Sequence, residues 1–264
     1  MNKKSEPKVL VGCPTYKGMK YCIDKFLDRV RDLTYSNYET LMVDNSKDGE
    51  YFSELKKERG IKVVKDECQE ESGMKRVISS RNRIIEYALE NNCDYILMLD
   101  QDVIPPKEVI TELSNCKKDI VSALYYNYFK SSGKIKILPC VWMPISQKEF
   151  EKMRKQINFP ETAKSHESLR RHLTIEEAQS EKLFKVLIPA AGCLLLSRKV
   201  FEKVRYGLVD MTGIKADTSE DIYFFKKVRE QGFESYCYTK IVCDHLIAGK
   251  FIKDAEGKLR HPLH

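Results

Sequence analysis

The sequence predicts an α/β protein with a mostly parallel central sheet, and three observations support this fold class. Between residues 8 and 125, short apolar runs alternate with longer stretches whose apolar residues recur at the helical period. Such alternation is typical of parallel strands joined by right-handed crossover helices. The run over 95–99 is apolar throughout, as expected for a strand buried on both faces. With 264 residues, 42% of them hydrophobic, the chain can bury one large core.

The elements of the first half follow from this pattern. Strands are predicted over 8–16, 40–46, 61–64, 95–99 and 119–125, each bounded by proline, glycine or polar turn residues. Helices are predicted between them over 21–33, 51–59, 74–90 and 107–116, because apolar residues there are spaced three and four apart.

The regular alternation stops after residue 126. Irregular strands are predicted over 135–144, a polar and mostly helical stretch over 148–182, an apolar segment over 186–196, a helix over 220–230 and a last strand over 235–243. The sequence has no internal repeat and no low-complexity linker. We therefore expect one domain over 1–264, with halves over 1–126 and 127–250 and a tail over 251–264.

The composition indicates in which cellular compartment the protein is expected. No apolar run approaches the about 20 residues that cross a bilayer, and the N-terminal residues lack the apolar core of a signal peptide. The nine cysteines are an odd number and form no Cys-x-x-Cys pair, so they read as reduced packing residues. We expect a cytoplasmic protein.

The net charge of +7 is concentrated in one segment. Between Lys130 and His172 there are ten Lys or Arg residues and only four Glu. This basic insert, centred on 148–182, indicates either a solvated charged helix or a surface for an anionic partner, such as a phosphorylated acceptor, a lipid head group or nucleic acid.

The apolar strand over 95–99 ends at two carboxylates, Asp100 and Asp102, before a pair of prolines. In open α/β sheets, ligands bind beyond the carboxyl ends of the strands. Two acids on so short a loop suit a divalent cation that carries diphosphate oxygens. A helix cap or a solvated turn is the alternative interpretation.

Other polar residues end neighbouring predicted strands. Pro14 and Thr15 follow the first strand and Asp44 follows the second, so the sheet gathers them at the edge that holds Asp100. Arg81 lies three and four residues before two isoleucines, on the apolar face of its helix. A buried arginine needs anionic partners, which are either an internal carboxylate or a bound nucleotide.

Four segments resemble the nucleotide-binding half of family 2 glycosyltransferases and their GT-A relatives. They are Val11–Tyr16, Val43–Ser46, Ser80–Arg83 and Leu99–Asp102, and their order and spacing match over about residues 8–126. The resemblance implies a three-layer GT-A fold, with a Rossmann-like nucleotide-binding half followed by an acceptor half.

The resemblance also implies roles for individual residues. The nucleotide sugar would contact Pro14, Thr15, Tyr16, Asp44, Arg81, Asp100 and Gln101, with Asp44 bonded to the base. Mn²⁺ or Mg²⁺ would be held by Asp102, with Asp100 and His245 as further ligands. Asp221 would be the catalytic base, with Glu220 as the second candidate.

Structural interpretations of these second-half residues stay open. Thr218-x-x-Asp221 reads as a capping box, and acids in the first turn of a helix are favoured by its dipole. A single histidine after a strand, such as His245, also serves as a hydrogen-bonded structural residue.

The sequence thus predicts a metal-dependent, inverting glycosyltransferase. Its donor would be a UDP-, GDP- or dTDP-sugar, and its acceptor an unidentified glycan, lipid-linked molecule or protein. Peripheral membrane contact through the basic insert is a further expectation, and nucleic acid is not an expected partner. The alternatives are a nucleotidyltransferase, which would normally carry a glycine-rich basic loop after the first strand, and a non-catalytic nucleotide- or anion-binding module.

Overall fold

A computed structural model describes residues 6–68, 70–131, 134–156, 165–166, 169–208 and 219–247, together with the backbone of two short strands near the C-terminus. No helix within these ranges is both long and apolar enough to span a membrane.

The strands form one large sheet and several two-stranded ribbons. The strands are β1 Val9–Thr15, β2 Tyr38–Asp44, β3 Lys62–Lys65, β4 Tyr95–Leu99, β5 Val103–Ile104, β6 Ile120–Leu124, β7 Tyr126–Ser131, β8 Lys134–Pro139, β9 Trp142–Pro144, β10 Arg170–His172, β11 Leu183–Val186, β12 Cys193–Ser197, β13 Ser235–Val242, β14 Asp244–His245, β15 Ile252–Lys253 and β16 Leu259–Arg260. The eight-stranded sheet has the order β11-β13-β6-β12-β4-β1-β2-β3.

Most neighbours in this sheet are parallel, which confirms the predicted fold class. β1 pairs in parallel with β2 and β4, β2 with β3, and β6 with β13. The exception at the centre is β12, which lies antiparallel between β4 and β6. Its five residues are all buried, and the sequence of a buried strand does not show whether it runs parallel or antiparallel to its neighbours.

Helices cover both faces of the sheet. They are α1 Ile23–Arg31, α2 Glu50–Leu55, α3 Gly73–Glu90, α4 Val109–Asn115, α5 Gln147–Arg154, α6 Ile175–Ala178, α7 Arg198–Phe201 and α8 Glu220–Glu230, with a 3₁₀ turn over Lys17–Cys22. Alternate residues of β1 enter two separate cores: Val9 and Val11 pack with residues of α1 and α4, and Leu10 packs with residues of α3, α7 and α8. The result is a three-layer arrangement.

The prediction of mostly helix over 148–182 is wrong in part. Within the insert, α5 and α6 are short, and β10 between them pairs with β9. Each helix begins at a capping box, Ser146 with Glu149 and Thr174 with Glu177. These caps set separate helix starts that hydrophobic spacing does not reveal. Residues 157–164 and 167–168 lie outside the described ranges.

Helix α3 packs closely against β1 because position 12 is glycine. A Cβ atom on Gly12 would lie 2.2 Å from Cγ2 of Ile84. Ile84 is one turn after Arg81 on the same helix, so this close contact also fixes the position of Arg81 over the ends of the strands.

Candidate active site

The carboxyl ends of β1, β2 and β4 surround a pocket of about 260 Å³. It is lined by Pro14, Thr15, Tyr16, Met19, Asn45, Val77, Arg81, Asp100, Gln101, Asp102 and Glu220. Eight of these residues were predicted from the sequence. Met19, Asn45 and Val77 were missed, although Asn45 directly follows the buried end of β2.

Arg81 lies at the centre of this pocket and is only 3% exposed. Its Nη2 donates to Asp100 Oδ1 at 2.8 Å, and its Nε lies 3.6 Å from Glu220 Oε1. Burial opposes the charged form, but the negative charges around it, Asp100 foremost, raise the pKa of the Arg81 guanidinium well above its ordinary value. Even so, Nε and Nη1 are buried without a hydrogen-bond partner. The carboxylates of the protein therefore accept hydrogen bonds from only part of the Arg81 guanidinium.

Asp100 connects Arg81 to the turn that precedes β12. Its backbone N–H donates to the Gly192 carbonyl at 2.9 Å. A Cβ on Gly192 would lie 3.0 Å from Asp100 Oδ2, so glycine leaves room for the carboxylate. Burial raises the pKa of Asp100, while Arg81 acts in the opposite direction.

Asp102 and His245 meet although they are far apart in sequence. The ribbon of β5 and β14 sets His245 opposite Val103, and His245 Nε2 lies 3.5 Å from Asp102 Oδ2. His245 Nδ1 is 2.8 Å from the Tyr126 carbonyl oxygen. Because a carbonyl only accepts, Nδ1 carries a hydrogen. Nε2 donates to Asp102 when the ring is protonated, and its lone pair is open to a cation when the ring is neutral. Burial lowers the pKa of His245, but Asp102, the Tyr126 carbonyl and Asp100 together raise the pKa overall.

The predicted three-residue metal set is not assembled. Across the described ranges, no group of three or more His, Cys, Asp or Glu is arranged to hold a metal ion. Asp100 turns one oxygen to Arg81 instead, which leaves Asp102 and His245 as a pair. Such a pair fits a divalent cation whose other ligands are water and substrate phosphates.

Asp44 lies beneath the pocket and is fully buried. Its Oδ1 accepts from the backbone N–H and the hydroxyl of Ser46, at 3.1 and 2.5 Å, and its Oδ2 accepts from Lys65 Nζ at 2.9 Å. Asp44 does not line the pocket, whereas the next residue, Asn45, does. The base contact predicted for Asp44 stays a prediction, and Lys65 occupies one of the two oxygens that would make it.

Gln101, predicted to contact the nucleotide, is 1% exposed and uses its polar atoms internally. Its Oε1 accepts from the hydroxyls of Thr15 and Tyr51, and its Nε2 donates to the Met19 carbonyl at 2.8 Å. The carboxamide therefore ties the loop after β4 to the loop after β1.

Glu220 and Asp221 begin α8. Its N-cap is Ser219, whose hydroxyl accepts from the Ile222 N–H at 3.4 Å, and Thr218, proposed above as the cap, lies outside the described ranges. Glu220 lies beside Arg81, and Asp221 Oδ1 is buried without a hydrogen-bond partner. Burial, reinforced by the charge of Glu220, raises the pKa of Asp221 to about 7.

Sequence reasoning also missed Tyr206. Its ring lies under Arg81, with the guanidinium carbon 5.4 Å from the ring centroid. Asn82 holds its backbone, accepting from the Tyr206 N–H at 2.9 Å and donating to its carbonyl at 3.0 Å. The only sequence signal was Asn82, which follows Arg81 in the recognised segment.

A three-layer α/β fold with a pocket of acids and one arginine at the strand ends defines the class of GT-A nucleotide-sugar-binding folds. The model of the family described as Glycosyl transferase family 2 matches residues 11–205, and the chain belongs to this family. No curated protein sequence matches the chain significantly.

Two solved structures share the fold, and a third is similar with a lower score. The mannosyltransferase PcManGT from Pyrobaculum calidifontis, in complex with GDP-Man and Mn²⁺, aligns over 92% of this chain and 58% of its own, with 15% identity and a TM-score of 0.51. GalNAc-T7 with UDP, GalNAc and Mn²⁺ aligns over 92% and 44%, with 16% identity and a TM-score of 0.57. S. aureus TarS 1-349 with UDP-GlcNAc aligns over 90% and 56%, with 14% identity and a TM-score of 0.49. The chain thus spans about half the length of these proteins.

Proposed function

We propose that this protein transfers a sugar from a nucleotide diphosphate sugar to an acceptor hydroxyl with inversion, assisted by a divalent cation. The observation that carries the proposal is Arg81, a buried guanidinium between Asp100 and Glu220 with two unpaired N–H groups. Oxygen atoms of a bound nucleotide diphosphate sugar, on its phosphates and on its sugar, are acceptors that such N–H groups lack. Family membership supports glycosyl transfer over nucleotidyl transfer or simple anion binding.

The donor is proposed to lie in the 260 Å³ pocket. Pro14, Thr15, Tyr16 and Asn45 surround its nucleoside end, and Asp44 supports that end through Ser46 and Lys65. UDP-, GDP- and dTDP-sugars are the candidate donors. The neighbouring structures that contain GDP-Man or UDP support this class of ligand.

Asp102 and His245 are the residues that would hold Mn²⁺ or Mg²⁺. A bound cation stabilises the negative charge that develops on the departing diphosphate. Arg81 adds a second, permanent positive charge on the same side of the pocket.

Asp221 is proposed as the base. Its Oδ1 has no hydrogen-bond partner among the described residues, and a pKa of about 7 suits a group that must take a proton near neutral pH. Glu220 lies 3.6 Å from Arg81 Nε, an ion-pair distance without a hydrogen bond, so it is proposed to position Arg81. Asp221 would remove the acceptor proton as the hydroxyl attacks the face opposite the departing diphosphate, so the anomeric configuration inverts.

The acceptor is proposed to be a glycan, a lipid-linked molecule or a protein. Helix α5 and its C-cap expose Lys148, Lys152 and Lys155, spaced four and three residues apart on one face, with Glu151 as the acid among them. This basic face supports an anionic acceptor or an anionic membrane surface as its partner.

Thermal denaturation with Mn²⁺ and UDP, GDP or dTDP tests the donor site. We expect one nucleotide diphosphate to raise the melting temperature in the presence of Mn²⁺ and much less in its absence. Asp102→Ala should lose this dependence on the metal, whereas Asp24→Ala, an exposed acid on α1, should keep it. Stabilisation of the wild type by none of the three, or equal stabilisation without Mn²⁺, would contradict the proposal.

A further inference from the structure

Unpaired polar atoms are concentrated at one place in this protein. In the described part of the chain, eight buried side-chain nitrogen or oxygen atoms have no hydrogen-bond partner. Half of them belong to three neighbouring side chains: Nε and Nη1 of Arg81, Oη of Tyr206 and Oδ1 of Asp221. Buried polar groups are normally paired, so a cluster of unpaired ones indicates a group that is bound there.

Tyr206 is held rigidly in this cluster. Asn82 fixes its backbone from both sides, and its ring stacks on Phe224 with centroids 4.2 Å apart and planes 14° apart. Arg81 lies over the ring, and the residue is only 4% exposed. The ring therefore cannot turn its hydroxyl to solvent without losing these contacts.

The hydroxyl also lies in the electric field of the acids of the site. Burial raises the pKa of Tyr206, Arg81 acts against this rise, and Asp221, Glu220 and Asp100 add to it. The phenol thus stays protonated, and it can both donate and accept a hydrogen bond.

We propose that Tyr206 binds a hydroxyl group of the donor sugar, beside Arg81 and Asp221. The ligand must accept from the guanidinium of Arg81, donate to the carboxylate of Asp221 and pair with the phenol of Tyr206. A diphosphate oxygen can pair with one of the two open nitrogens of Arg81, but a phosphate beside Asp221 would be repelled, whereas sugar hydroxyls both donate and accept. This inference rests on the proposed function and assigns the sugar of the donor, as distinct from its nucleotide, to this cluster.

The test compares a nucleotide diphosphate with its sugar-bearing form. Calorimetric titrations with Mn²⁺ would use UDP against UDP-GlcNAc and GDP against GDP-mannose, on the wild type and on Tyr206→Phe. We expect the Kd of the sugar nucleotide to rise roughly two- to tenfold in Tyr206→Phe, as for one lost hydrogen bond, with the Kd of the bare nucleotide unchanged.

Melting temperatures measured without ligand provide the second readout. Because the Tyr206 hydroxyl has no partner in the part of the chain that the structure describes, Tyr206→Phe should leave the melting temperature unchanged or raise it. Tyr35→Phe is the matched control: it removes a buried hydroxyl that donates to the Pro7 carbonyl at 2.7 Å, so it should lower the melting temperature and leave both Kd values unchanged.

The outcomes separate the two proposals. An equal rise in both Kd values, or a lowered melting temperature of Tyr206→Phe, would show a structural role and overturn the inference. No change in either Kd would show that only water pairs with the hydroxyl. If the wild type bound no nucleotide diphosphate, the proposed function itself would fail, and the sugar site with it.

Discussion

Arg81 shows how a single residue organises this site. A guanidinium without partners would be too costly to bury, yet its carboxylate neighbours leave two of its N–H groups unpaired. The same side chain contacts Asp100 at the end of β4, Glu220 at the start of α8 and the ring of Tyr206. Arg81 therefore connects elements of the first half of the chain to the start of α8 in the second.

Gln101 carries a prediction at this scale. Gln101→Met keeps the volume of the side chain but leaves the hydroxyl of Thr15 and the carbonyl of Met19 without their partner. We expect the free energy of unfolding to fall by about 1–3 kcal/mol. Nucleotide diphosphate affinity should fall about tenfold, because the loop after β1 loses its attachment to the loop that carries Asp100 and Asp102.

Denaturant unfolding and calorimetric titration measure these two effects. The exposed Gln231, at the end of α8, offers the matched control Gln231→Met, which should change neither quantity. Unchanged nucleotide affinity in a destabilised Gln101→Met variant would restrict Gln101 to a role in folding.

Individual site residues were predictable where the residue type and the end of a strand coincide. Pro14, Thr15, Asp100 and Asp102 follow apolar runs, and all four line the pocket. Tyr206 lies in a segment without a motif, and its contact with Arg81 depends on tertiary packing. The internal hydrogen bonds of Gln101 could not be predicted either, because the sequence does not show which way a side chain points once a strand has ended.

At the scale of elements, Gly12 decides how closely α3 approaches the sheet. Gly12→Ala would bring a Cβ to 2.2 Å from Ile84 Cγ2, so the helix must shift. We expect a loss of about 1–3 kcal/mol of unfolding free energy and weaker nucleotide diphosphate binding, since Arg81 moves with α3.

A double-mutant cycle checks this cause. Ile84→Ala removes Cγ2, so Gly12→Ala should cost less in an Ile84→Ala background than in the wild type. Gly49→Ala, where a Cβ meets no atom within 4 Å, is the control and should change stability little. Strictly additive energies in the cycle would show that the contact with Ile84 does not cause the loss.

Other elements show where sequence patterns stop being informative. The alternation of apolar runs with helically spaced segments predicted β1 to β4 and the helices between them. Each of these elements follows the hydrophobic pattern of a single strand or helix. The place of β12 in the sheet depends on which edge of β4 is free to pair with it. Its run of buried residues is compatible with both the parallel and the antiparallel orientation. In the insert, charged residues pair with one another, as Arg171 does with Glu177 at 2.7 Å, so helical spacing says little there.

At the scale of the whole molecule, the buried charge of the candidate site lowers the free energy of unfolding. The contribution of Asp221 can be measured from its pH dependence. Its pKa in the folded protein is about 7, raised above the ordinary value of 3.8. Below about pH 4 the carboxyl is protonated in both folded and unfolded chains, so it has no effect. Between about pH 4 and 7 the unfolded chain releases the proton before the folded chain does, so stability falls as pH rises.

Asp221→Asn removes this titration. We expect the variant to gain stability relative to the wild type as pH rises from 4 to 7, reaching a few kcal/mol above pH 7, in denaturant unfolding without metal. Asp24→Asn, an exposed acid on α1, should run parallel to the wild type. Parallel curves for Asp221→Asn would contradict the raised pKa.

The rate of sugar transfer should change in the opposite direction over the same pH range. A base works only when it has lost its proton, so the wild-type rate should rise with pH to a plateau above about 7, and Asp221→Asn should abolish transfer while the fold remains. The proton whose loss destabilises the protein is then the proton whose loss activates it. Substantial transfer by Asp221→Asn would break this link and assign the base to another residue.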